Sequence, residues 1–86
     1  MAGCIIGPEA QIDINTLINS GAIVEHHTRV ADHALIASGA CLTGGVTVGA
    51  ESFIGAKSVV RQGLTIGSFC TVDLGSVTTK SLTFSN

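Results

Sequence analysis

Aliphatic residues recur every six positions without a miss: Ile6, Ile12, Ile18, Val24, Val30, Ile36, Leu42, Val48, Ile54, Val60, Ile66 and Val72 open twelve consecutive hexads. Four places after each stands a mostly small residue: Ala10, Thr16, Ala22, Thr28, Ala34, Ala40, Val46, Ser52, Ser58, Leu64, Cys70 and Ser76. A helix repeats near ~3.6 residues and a strand near ~2, so neither accounts for this period. One large and one small inward residue per hexad, with tight corners between, describes a parallel β-helix of hexapeptides. The fold class is therefore all-β, a single-stranded parallel β-helix. With three hexads to a triangular coil, residues 6–77 form four coils, 6–23, 24–41, 42–59 and 60–77.

Positions eighteen apart then stack in columns, and the outward columns at the sixth place of the hexads differ from one another. Ile23, Cys41, Val59 and Val77 make one apolar stripe, and Leu17, Leu35, Phe53 and Thr71 a second, whereas Gln11, Arg29, Thr47 and Thr65 are polar. Two unlike apolar stripes per subunit suit a cyclic assembly in which different patches meet, so the pattern predicts a homotrimer. Residues 1–86 form one domain, with short caps at both ends to blunt the open edges. Thr78 stands where a thirteenth aliphatic is due, so the helix is expected to stop there and the polar tail after it to be partly disordered.

Composition sharpens this picture. Trp and Tyr are absent and only Phe53, Phe69 and Phe84 are aromatic, as a narrow interior requires. Net charge is −2 with four basic residues, Arg29, Lys57, Arg61 and Lys80, which argues against nucleic acid or an anionic membrane as partner. Cys4, Cys41 and Cys70 form neither a C-x-x-C pair nor a disulfide framework and read as ordinary thiols in a reducing compartment. The N-terminus lacks a basic segment followed by an apolar run, and no stretch reaches bilayer-spanning length, so a cytoplasmic location is expected.

All three histidines fall in one coil, in Val24-Glu25-His26-His27-Thr28-Arg29 and Val30-Ala31-Asp32-His33-Ala34-Leu35. His26 and His27 take the third and fourth hexad places, which are outward corners, with their side chains expected to point apart. One coil on, that corner reads Gly44-Gly45, so backbone amides there are bare of side chains. A base beside a bare amide is what acyl transfer needs, because the developing oxyanion requires a fixed N–H donor. His33 occupies the next corner, which a trimer would bring toward His26 of a neighbouring subunit.

The run Glu25-His26-His27, followed by Asp32-His33-Ala34, Ser38-Gly39-Ala40, Leu42-Thr43-Gly44-Gly45-Val46 and Phe53-Ile54-Gly55-Ala56, resembles the hexapeptide-repeat acetyltransferases of the sialic-acid O-acetyltransferase and UDP-amino-sugar N-acetyltransferase group. The resemblance implies a left-handed β-helix, a trimer, and acetyl-CoA as cosubstrate in the cleft between subunits. It implies O- or N-acetylation of a sugar or sugar nucleotide, with His26 as general base and the Gly44 amide receiving the thioester oxygen. Pantetheine is expected past Gly45, Gly55 and Ala56, and His27 and His33 as acceptor or cross-subunit contacts. Arg61, Lys57 or Lys80 could meet a coenzyme phosphate.

The chain departs from that group at three points. The acidic residue usual after the base is replaced by His27, a second histidine is replaced by Leu35, and the N-terminal nucleotide-sugar domain and C-terminal cap have no counterpart. A non-catalytic or truncated trimeric β-helix remnant, with or without retained coenzyme binding, is the alternative reading. Zinc is not expected: hexapeptide helices of the γ-type carbonic anhydrases draw histidines from successive coils and subunits, whereas here they crowd one coil.

Overall fold

The structure, a computed structural model, describes residues 4–83. The terminal residues of the two expected caps, 1–3 and 84–86, lie outside the described residues. Among the described residues, thirteen two-residue strands build three parallel sheets. The first is β1 (Ile5–Ile6), β4 (Ile23–Val24), β7 (Cys41–Leu42), β10 (Val59–Val60) and β13 (Val77–Thr78). The second is β2 (Gln11–Ile12), β5 (Arg29–Val30), β8 (Thr47–Val48) and β11 (Thr65–Ile66). The third is β3 (Leu17–Ile18), β6 (Leu35–Ile36), β9 (Phe53–Ile54) and β12 (Thr71–Val72). Pairing runs in the eighteen-residue register throughout, as in Ile23↔Cys41 and Val24↔Leu42, so the columns read from the sequence are the three faces.

Each corner is made in the same way. The fourth place of every hexad has a positive φ, from Glu9 to Gly75: five are glycine, and seven are side-chain-bearing residues with φ of 57–62°, including His27 and His33. This left-handed step lets the fifth-place N–H bond back to the second-place carbonyl, as Ala22 does to Asn19 at 3.2 Å and Ala40 to Ala37 at 3.2 Å. Among the described residues no third-place N–H donates a hydrogen bond, while third-place carbonyls accept from the coil above. Pro8, the only proline, stands in a third place, where its missing N–H costs nothing.

The interior is a column of the first-place aliphatics. Val24, Ile36, Leu42, Val48, Ile54, Val60 and Ile66 are fully buried, and Ala22, Ala34, Ala40 and Val46 close the layers. Buried hydroxyls are satisfied locally: Thr28 Oγ1 donates to Thr43 O at 3.2 Å and Ser58 Oγ to Gly55 O at 2.7 Å. Some second places admit no side chain. A Cβ on Gly55 would stand 2.5 Å from Leu74 N and 2.6 Å from Val72 O.

Two expectations about the ends are corrected. Thr78 does not end the helix, because Val77–Thr78 pairs with Val59–Val60 as a further strand. The tail beyond it docks: Leu82 N donates to Thr65 O at 3.0 Å, Gly67 N donates to Leu82 O at 2.8 Å, and Ser81 Oγ accepts from Thr65 N at 2.9 Å. Leu82 bridges to Ile66 two residues ahead of the hexad register, so the last corner is a short cut that lays a leucine over the core. The pattern missed this because its period breaks there while the backbone pairing continues. At the other end Ile5 and Ile6 are a full strand on β4.

Candidate functional site

The corner between the first and second faces stacks four dipeptides: Pro8-Glu9, His26-His27, Gly44-Gly45 and Gln62-Gly63. The chain climbs through them because His27 N donates to Pro8 O at 3.1 Å, Gly45 N to His26 O at 2.9 Å and Gly63 N to Gly44 O at 3.0 Å. His26 and His27 are exposed, while Gly44 is buried. What buries it is the His26 ring: a Cβ on Gly44 would lie 2.6 Å from His26 Nε2 and 2.7 Å from Cε1. Glycine at 44 is therefore a condition for the imidazole to stand where it does. The Gly44 N–H has no partner among the described residues.

The two histidines do not point apart. His27 Nδ1 lies 3.1 Å from His26 Nδ1, with the rings edge-on at 85° and centroids 5.3 Å apart. The left-handed backbone at His27 turns its side chain back over its neighbour, which alternation along an ordinary strand would forbid. Glu9, one coil below, brings Oε1 to 3.9 Å from His27 Nε2.

Above the imidazoles a groove of about 380 Å³ is lined by His26, His27, Gly44, Gly45, Gln62 and Gly63. A Cβ on Gly63 would meet nothing within 4 Å, so this corner is bare space that side chains would otherwise fill. Below them a second groove of about 490 Å³, more apolar, is lined by Ile5, Gly7, Pro8, Ile23, Val24, Glu25 and the same two histidines.

Not all the sequence-predicted residues meet. His26, His27, Gly44 and Gly45 form one corner, whereas Gly55 and Ala56 lie at the corner between the third and first faces. Contact with the coil above accounts for Gly55 having no side chain. His33 belongs to the remaining corner, its N–H bonded to Ile14 O at 3.4 Å. Gln62, Gly63 and Glu9 were missed, although the eighteen-residue column through His26 and His27 passes through all three. Among the cysteines, burial and then the nearby Glu25 carboxylate push the Cys41 thiol up. Among the described residues no three His, Cys, Asp or Glu side chains converge on a metal position, and no helix is long and apolar enough to cross a membrane.

The fold and corner together define a hexapeptide β-solenoid of about four turns. Its structural neighbours include acetyltransferases, among them a GDP-perosamine N-acetyltransferase. A histidine-to-alanine variant of GDP-perosamine N-acetyltransferase from Caulobacter crescentus, in complex with CoA and GDP-perosamine, is 34% identical with a TM-score of 0.95, over 96% of this chain and 40% of that one. The acetyltransferase domain of PglB from Neisseria gonorrhoeae, in complex with acetyl coenzyme A, is 27% identical with a TM-score of 0.78, over 98% and 47%. PerB from Caulobacter crescentus, with CoA and GDP-perosamine, is 25% identical with a TM-score of 0.80, over 94% and 48%. The chain thus spans less than half the length of these structures and is similar to their β-helix cores. Solenoids of opposite hand do not superpose over four coils, so the chain shares its neighbours' hand. No protein-family model matches the sequence, and no curated protein matches it.

Proposed function

We propose that this β-helix is an acetyl-CoA-dependent acetyltransferase unit acting on a sugar or sugar nucleotide, with an amine rather than a hydroxyl as the acceptor. The observation that carries the reading is the His26 ring packed under Gly44, whose N–H has no partner among the described residues. His26 is the general base that takes the acceptor's proton, and the Gly44 amide receives the charge that develops on the acetyl oxygen. Acetyl-CoA supplies the acetyl group. Gly45, Gln62 and Gly63 line the groove that fits its arm, since that column carries one side chain over two coils. The choice of an amine follows the neighbours, two of which hold a nucleotide-linked amino sugar together with CoA.

The working unit in this reading is a homotrimer. The first and third faces expose Ile5, Val77, Leu17 and Phe53 in stripes, and packing one against the other brings His33 of the partner subunit to the cleft beside His26. Gly55 and Ala56, on the corner between those two faces, then lie toward the threefold axis.

Thermal unfolding with acetyl-CoA tests donor binding, since a ligand at a hundred times its Kd adds about 2.7 kcal/mol of stability. Thiol release with GDP-perosamine and other nucleotide-linked amino sugars tests turnover. Stabilisation without release across that panel would favour the alternative, a β-helix that binds the coenzyme and does no chemistry. No stabilisation at millimolar acetyl-CoA would sink the acetyltransferase reading and leave a β-helix without coenzyme binding.

A further inference from the structure

We infer that His27 is a positioning residue that relays the charge of Glu9 to His26 and so makes Nε2 the basic nitrogen of His26; this rests on the reading of His26 as the base. Two neutral imidazoles facing each other Nδ1 to Nδ1 at 3.1 Å share one hydrogen bond, and one of them must donate. If His26 Nδ1–H donates, His27 carries its proton on Nε2 and His26 Nε2 is bare. If His27 Nδ1–H donates, His27 turns a lone pair toward Glu9 and His26 carries its proton on Nε2. The Glu9 carboxylate, 3.9 Å from His27 Nε2, decides between them, because a negative charge there favours N–H over a lone pair. A Cβ at position 44 would lie 2.6 Å from His26 Nε2 and 2.7 Å from Cε1, against the face of the ring, so glycine there leaves the imidazole room to keep this orientation.

The network does the work of a carboxylate beside the base, with an imidazole interposed and the charge drawn from the coil below. Glu9 reaches this place because it sits eighteen residues before His27 in the same column. The other charged groups at the corner are Glu25, immediately before His26, and Arg29, which opens the next strand. Gly44-Gly45 and Gln62-Gly63 above add none.

Protonation of His27 ends the relay, because a doubly protonated ring cannot accept from His26 Nδ1. In His27→Glu a carboxylate takes the Nδ1 proton directly, so activity should persist. His27→Ala should lose about ten- to a hundredfold in kcat, the range typical of an orienting partner.

A readout that needs no substrate is the imidazole nitrogen spectrum of the 15N-labelled full chain above the titration range. His26 should carry its proton on Nδ1 and His27 on Nε2. In Glu9→Gln and His27→Ala, His26 should return to the Nε2–H form that free imidazole prefers in water. An Nε2–H His26 in the wild type overturns the inference, as does a His27→Glu no more active than His27→Ala. The expected tautomers in a chain that acetylates nothing would uphold the network and reject the acetyltransferase reading.

Discussion

At the scale of the residue, the site depends on what is absent at position 44 as much as on what is present at 26. His26→Ala should lower turnover by about a hundredfold to ten-thousandfold, the usual contribution of a general base, while leaving acetyl-CoA binding near that of the wild type. Gly44→Ala keeps every amide in place yet puts a methyl 2.6 Å from Nε2, so the ring must swing away. Misplacing a reacting group by about 1 Å costs about a hundredfold in rate. Because the clash is with a side chain, the fold should survive, and circular dichroism should match the wild type. An active Gly44→Ala would show that the position of the ring does not matter, and an active His26→Ala would remove it as the base.

At the scale of the hexad, two glycines that look alike in the sequence do different work. Gly55 faces the backbone of the coil above, and Gly55→Ala forces a methyl to within 2.6 Å of Val72 O, so the coils must part. Overpacking of that kind costs about 1–3 kcal/mol. Gly63 has nothing within 4 Å of a built Cβ and only a positive φ of 75° to defend, so Gly63→Ala should cost nearer 1 kcal/mol. Thermal unfolding of the two variants should rank Gly55→Ala as the less stable. The ligand effect should be reversed, with Gly63→Ala narrowing the groove and weakening acetyl-CoA binding while Gly55→Ala leaves it alone. Equal stabilities, or equal binding, would contradict the division.

At the scale of the whole molecule, the question is what covers the two apolar faces. Val59 stacks between Cys41 and Val77 in the middle of the first face, and Val59→Asp places an unpaired charge on it. Light scattering should show a trimer for the wild type and a smaller species for this variant; a monomeric wild type at micromolar concentration would refute the trimer. Cys41 reports on the same face. Burial, with Glu25 adding to it, raises its thiol, so the reactive thiolate is scarce near neutrality and alkylation should quicken as pH rises. Val59→Asp should speed Cys41 labelling at a given pH if the face is covered in the assembly.

The sequence by itself determined the solenoid, its three faces and the corner that holds His26 under the gap at Gly44. It did so because a β-helix converts a fixed period into a fixed column: residues eighteen apart must stack once every hexad has the same length. That rule also held Glu9, Gln62 and Gly63, unread because those residue types carry no signal until the column through His26 and His27 is followed up and down. Only the tertiary structure decided how the two histidines face each other, since the left-handed φ of 58° at His27 sets the direction of its side chain and no pattern of polarity encodes it. It alone showed why position 55 is glycine, since a Cβ there would strike the backbone of the coil above. It alone placed Leu82 over the core, because the chain leaves its period after Thr78 while the backbone groups at the end of β11 still have to be paired.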